Sequence, residues 1–160
     1  MPAINIDDLR TLARKRLPRT IFESIDRASH DETSPRAKRA SCARYALSNR
    51  ALTDISQRDQ STTILGEKSA SPLILAPTGL AGILHRRGEL SASRAAHAAG
   101  VPYCLSTMAT CSIEQIAEAS NVTRWFQLYV LRDRGLTKTF IERAKTTNCK
   151  ALVLTVDTKM

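Results

Sequence analysis

Four short apolar runs recur through the later part of this sequence, "PLILAP" (72–77), "VPYCLS" (101–106), "RWFQLYV" (124–130) and "ALVLTV" (151–156), with helix-like segments between them. This alternation is the strongest constraint on what the chain can fold into. Each run is too short for a stable helix. Its apolar residues are close to continuous, as expected of a strand buried on both faces. The intervening segments carry helical spacing and punctuation. "GELSASRAAHAAG" ends at Gly100, "SIEQIAEAS" opens on Ser112 with Gln115 three residues on, and "LTKTFIERAKTTN" ends near Asn148. Strands that alternate with helices pair in parallel through right-handed crossovers. The expected class is α/β, either a doubly wound sheet or an arc of a (β/α)8 barrel.

Polar residues at the strand ends favour the barrel arc. Thr78 and Gly79 follow the first run, and Ser106 and Thr107 close the second. Gln127 and Tyr129 lie on the third run, and Thr155 and Asp157 close the fourth. Ligands of α/β folds sit at the carboxyl ends of strands, so four such ends form one side of a binding mouth. The plainer reading is that Ser and Thr cap turns, Gln127 and Tyr129 pack inward as hydrogen-bonded core, and Asp157 forms a turn before Thr158. The stretch "PTGLAG" (77–82) has only two glycines, and no dinucleotide fingerprint or P-loop is present. A bound cofactor would have to be held in another way.

Residues 1–70 are more polar and read as a helical and loop segment ahead of the barrel portion, residues 71–160. Asn5 with Asp8 predicts a capped helix from about Ile6 to Leu17, stopped by Pro18. A second helix is expected from Arg19 to about Ala28, and "SHDETSPRAKRAS" (29–41) reads as loop and short helix. At 160 residues, 42% hydrophobic and 24% charged, the chain is long enough for a real core.

The net charge of +9 raises the question of nucleic acid. The basic residues are spread, however: twelve Lys and Arg against eight Asp and Glu in residues 1–60, and twelve against seven in 61–160. The densest run, "RKR" at 14–16, falls on a helix face, and RNP-like aromatics and zinc-finger spacings are missing, so no nucleic-acid partner is expected. Cysteines 42, 104, 111 and 149 form no CxxC and have no paired His at ligand spacing. No metal site is expected, and free thiols in a reducing compartment are the default. The N-terminus lacks an apolar signal core, and no stretch approaches the ~20 apolar residues of a membrane span. The expected location is the cytoplasm or the cytoplasmic face of a membrane.

"LAPTGLAGILHRRGELSASRAAHAAGVPYCLSTMATCSIEQIA" (75–117), "WFQLYV" (125–130) and "ALVLTVDT" (151–158) together resemble the N-terminal half of the FMN-dependent 2-hydroxy-acid dehydrogenases and oxidases. That family includes L-lactate and mandelate dehydrogenases and glycolate oxidase. "DDLRTLARKRLPRTIFE" (7–23) and "RALTDIS" (50–56) extend the resemblance. It implies a partial (β/α)8 barrel of about four βα units behind an N-terminal helical segment. By the same resemblance, the backbone at Pro77, Thr78 and Gly79 would lie along the reactive edge of an FMN ring. Ser106 and Gln127 would hydrogen-bond its polar edge, with Thr155 close by. Tyr129 would face the substrate, and Asp157 would pair with a catalytic histidine. The implied reaction is oxidation of an L-2-hydroxy acid to the 2-oxo acid, with FMN reoxidised by a quinone, a cytochrome or oxygen.

Departures qualify that resemblance. "FESIDRA" (22–28) places Phe22 and Ser24 where the family has two tyrosines, and Arg27 and Ala28 where it has a glycine pair. A lost phenol removes a hydrogen bond to a charged group, worth about 1.5–3 kcal/mol. His30, His85 and His97 do not occupy the family's catalytic position, although His85 matches an "H-x-x-G-E" stretch. The family's flavin-binding lysine, catalytic histidine and arginine come from its later half, so activity of these 160 residues alone is not expected. An open arc presents unpaired strand edges, which favour homo-oligomers or aggregation. The alternatives are a non-catalytic remnant that binds no flavin, or a small basic protein that associates with nucleic acid or an anionic surface.

Overall fold

The computed structural model describes residues 3–157. The chain forms two compact units, Met1–Gln57 and Arg58–Met160.

The first unit holds three helices, α1 (Ile6–Arg16), α2 (Arg19–Asp26) and α3 (Thr33–Ala43). Asn5 caps α1, its side chain accepting the Asp8 N–H at 2.8 Å. The reciprocal bond differs from a strict capping box: the Asp8 carboxylate reaches past Asn5 to the Ile4 N–H at 2.9 Å. Pro18 separates α1 from α2 because it cannot continue the hydrogen-bond ladder. α2 ends at Asp26, two residues before the expected Ala28, and its Asp26 carboxylate is gripped by the Arg10 guanidinium of α1. None of the described residues of this unit is buried.

The second unit begins with an antiparallel hairpin that the sequence pattern did not suggest, β1 (Thr62–Ile64) and β2 (Glu67–Ser69). Its turn, Leu65–Gly66, has positive φ at both residues, the geometry that matches strand twist in two-residue hairpins. Then follow α4 (Ala81–Leu84), α5 (Gly88–Ala98), β3 (Tyr103–Leu105), α6 (Ile113–Ala119), β4 (Arg124–Tyr129), α7 (Arg134–Thr146) and β5 (Ala151–Thr155). β3, β4 and β5 form a parallel sheet in chain order. α6 starts with a full capping box between Ser112 and Gln115. α7 starts at Arg134 under an Asp133 cap, two residues ahead of the apolar pattern, and ends where Asn148 turns left-handed with φ 59°.

The expected strand at 72–77 is reduced to one parallel bridge, Leu75 to Tyr103. Leu75 donates to Pro102 O at 2.9 Å and accepts from Cys104 at 3.0 Å. Pro72 and Pro77 bracket the run and remove donors at both ends, and Leu73, Ile74 and Leu75 are all exposed. Thr158, part of the turn reading of Asp157, lies outside the described residues.

Alternation along the strands sorts the side chains between two faces. Tyr103, Leu105, Phe126 and Leu128 share one face and join Ala96 of α5, Ile113 and Ile116 of α6 and Ala144 of α7 in a single core. All three helices therefore cover the same face. A doubly wound sheet distributes helices over both faces, whereas a barrel keeps them outside, so this is a barrel arc. The described strands leave it open. The opposite face carries Cys104, Ser106, Trp125, Gln127, Tyr129, Val153 and Thr155.

Candidate active site

Gln127 sits at the centre of that inner face, 3% exposed, near the carboxyl ends of the strands. Its Oε1 accepts from Ser106 Oγ at 3.2 Å and from the Thr107 N–H at 3.1 Å. Its Nε2 donates to Thr155 Oγ1 at 2.9 Å. Ser106 Oγ in turn accepts the Met108 N–H at 3.1 Å. One amide thus ties together residues from the ends of three adjacent strands. The bonds also fix its orientation, with oxygen toward β3 and nitrogen toward β5. A buried amide without partners is costly, and here both ends are bonded while Nε2 keeps a second N–H to offer.

The loop after Leu75 borders this row. A side chain at Gly79 would put its Cβ 3.2 Å from Met108 Cβ and 3.8 Å from Ser106 Oγ, so glycine leaves bare backbone beside the serine. The Leu80 N–H donates to Met108 O at 2.9 Å and locks the two loops together. Pro77 and Thr78 precede Gly79 on the same exposed segment. Tyr129 is half-buried at the end of β4, opposite Thr155 in register. Asp157 lies exposed two residues beyond β5. Ser106, Gln127 and Thr155 are therefore joined directly, Gly79 borders Ser106, and Tyr129 shares the face of Gln127. Ser24 lies in the other unit, where its hydroxyl donates back to Ile21 O at 2.8 Å.

Three residues hold the frame of the site. Thr107 bonds both Gln127 and Tyr129. Glu89, 1% exposed at the start of α5, accepts from Thr110 N at 2.8 Å and Thr110 Oγ1 at 2.7 Å. Burial would push its carboxyl up, but the Thr110 donors, with the backbone of Glu89 and Gly82, outweigh burial and hold it below the ordinary value. Thr110 Oγ1 also accepts the Gly82 N–H at 3.1 Å. Glu89 had one sequence signal, the "H-x-x-G-E" stretch that ends on it, and Thr107 had its place as a polar residue closing the second apolar run; Thr110 had none. Burial raises the Tyr103 hydroxyl above its usual range and pushes the Cys104 thiol up to about 12.

These groups can hydrogen-bond a polar ligand placed at the strand ends. The row offers the second amide N–H of Gln127 and the Thr155 hydroxyl, the Ser106 proton being given to Gln127, and Gly79 supplies close backbone approach. A parallel barrel arc with such a row defines the class: an α/β-barrel portion whose strands carry hydrogen-bonding groups at their carboxyl ends, the place where ligands of such folds sit.

Comparison with known proteins narrows that class. The model of the FMN-dependent dehydrogenase family matches residues 13–160. The L-lactate dehydrogenase of Caulobacter vibrioides (strain NA1000 / CB15N) is 46% identical over 150 residues, covering 94% of this chain and 39% of that protein. The L-lactate dehydrogenase of Alcaligenes faecalis is 44% identical over 150 residues, 94% of this chain and 40% of that protein. Among solved structures, a soluble mutant of the membrane-associated (S)-mandelate dehydrogenase from Pseudomonas putida matches with a TM-score of 0.92 and 34% identity, over 99% of this chain and 45% of that one. A mandelate oxidase mutant with an FMN adduct matches with a TM-score of 0.87 and 36% identity, over 96% and 46%. The chain belongs to the FMN-dependent dehydrogenase family. It spans about two fifths of the length of the curated relatives it matches.

Proposed function

We propose that this chain forms one wall of an FMN site in an enzyme that oxidises an L-2-hydroxy acid of the lactate type to the 2-oxo acid. The hydrogen-bonded row Ser106–Gln127–Thr155 across three strand ends carries the reading. When bound, FMN supplies the two-electron acceptor. In this reading Ser106, Gln127 and Thr155 hold the polar edge of the ring, and the backbone at Pro77, Thr78 and Gly79 lines its reactive edge. Tyr129 presents its hydroxyl to the carboxylate or hydroxyl of the substrate. Asp157 stabilises a histidine imidazolium formed as the substrate hydroxyl loses its proton. A quinone, a cytochrome or oxygen takes the electrons onward.

The cytoplasm or the cytoplasmic face of a membrane is the proposed location, supported by the free state of all four cysteines. No helix among the described residues is long and apolar enough to cross a membrane.

Titration of the purified chain with FMN, followed by flavin fluorescence, tests the site. Saturable binding that weakens by about tenfold or more in Gln127→Ala is expected, the equivalent of one lost net hydrogen bond. Equal affinity of parent and variant, or no binding by the parent, rejects the reading. In an enzyme completed with the later half of a relative, loss of flavin absorbance with L-lactate but not D-lactate tests the substrate class.

A further inference from the structure

β3 leaves the parallel ladder early. Its last pair is Leu105 with Phe126, whereas β4 continues to Tyr129. Two backbone groups of β4 beyond that point, the Gln127 carbonyl and the Tyr129 N–H, lose the partners a longer β3 would have given them. Thr107 serves both with one atom. Its hydroxyl donates to Gln127 O at 2.6 Å and accepts from the Tyr129 N–H at 3.1 Å. In a parallel ladder, the N–H and C=O of one residue bond the residues that flank its partner on the next strand, and Gln127 and Tyr129 flank Leu128 in that sense. A hydroxyl is the smallest side-chain group that can donate and accept at once. The backbone N–H of Thr107 also holds Gln127 Oε1 at 3.1 Å.

We propose that Thr107 is a positioning residue whose hydroxyl replaces a missing rung of the sheet, setting where Gln127 presents its amide to FMN and Tyr129 its phenol to the hydroxy acid. This rests on the function proposed above, but the rung itself is a separate claim with its own measurement. Neither bond leaves Thr107 Oγ1 free to contact a ligand as its main role; it acts through its two neighbours.

Three variants test the proposal. Thr107→Val keeps the shape and removes the hydroxyl, and Thr107→Ser keeps the hydroxyl and removes the methyl. Thr107→Cys keeps a small polar atom that is a poor donor, and serves if the valine variant does not fold. Backbone amide exchange by NMR on the ligand-free chain reads the rung. The Tyr129 amide is expected to exchange about tenfold faster in Thr107→Val, or in Thr107→Cys, with Thr107→Ser within about twofold of the parent and Phe126, inside the ladder, unchanged. Unchanged Tyr129 exchange in the folded valine or cysteine variant overturns the proposal. FMN titration reads the positioning: about tenfold weaker binding in Thr107→Val with rescue in Thr107→Ser supports it, and equal affinity in Thr107→Val and parent overturns it. A parent chain that binds no FMN overturns the flavin reading and with it the positioning of Gln127 for FMN, while the exchange measurement still decides the rung.

Discussion

Glu89 and Thr110 are locked to each other by two bonds: the Glu89 carboxylate takes both the backbone N–H and the hydroxyl of Thr110, at 2.8 and 2.7 Å. The pair stitches the first turn of α5 to the loop after β3, and Thr110 passes the contact on to Gly82. The loop that holds Ser106 and Met108 is therefore anchored from the helical side as well as from the sheet.

Glu89→Gln turns one acceptor oxygen into an N–H that faces a donor. The expected loss is about 1–3 kcal/mol of unfolding free energy, measured in urea, because a buried donor is left unpaired. The sign with pH follows from the lowered folded value of Glu89. Its contribution is complete above the ordinary carboxylate value of about 4.3 and fades as pH falls through the lower folded value. The stability gap between parent and Glu89→Gln should narrow across that acid window.

The thiols divide by burial. Cys42 is exposed, whereas burial pushes Cys104 up to about 12 and, with the nearby Glu89 charge, Cys111 up to about 11. Burial also raises Cys149. Reaction with a disulfide reagent at mildly alkaline pH is expected to show one fast thiol, lost in Cys42→Ser, and three that react only after denaturation.

Arg143 of α7 grips Glu114 of α6 with two bonds, at 2.8 and 2.7 Å. The hydrogen bond from Arg143 draws the Glu114 carboxyl down to about 2. Both side chains are partly exposed, so solvent screening limits the pair to about 0.5–1 kcal/mol. Arg143→Met should lose that amount at neutral pH. The contribution of Glu114 is present above about pH 4.3 and is lost as pH falls toward 2, so parent and variant should converge there by thermal or urea unfolding.

Leu128 and Leu154 are paired across β4 and β5 on the helix-covered face, yet Leu128 is 5% exposed and Leu154 57%. Leu128→Ala is expected to cost about 2–5 kcal/mol because it opens a cavity under the helices. Leu154→Lys should cost less than about 0.5 kcal/mol. It should also reduce any concentration-dependent association seen by light scattering, since it removes apolar surface beside the β5 edge. Equal costs for the two substitutions would show that the helices do not shield β4 selectively.

Elements were legible in the sequence wherever their cause was local. The apolar runs at 101–106, 124–130 and 151–156 contain β3, β4 and β5, and Ser112 with Gln115 marked the start of α6 by a bond three residues long. The run at 72–77 misled because periodicity reports that a segment suits a strand, not that a partner lies alongside it; only Leu75 found one. The β1–β2 hairpin was missed for the reverse reason, since its strands are three residues each and nearly polar.

The sequence by itself determined the alternation of strands and helices, the caps that bound them and the residue types at the strand ends, because each depends on neighbours within a few positions. Tertiary structure alone decided that Gln127 orients between Ser106, 21 residues before it, and Thr155, 28 residues after. It alone spent the Thr107 hydroxyl on a backbone rung, and it alone drew α5, α6 and α7 over a single face. A buried hydrogen bond is chosen by which groups folding leaves without water, and that competition is settled only when distant strands stand side by side.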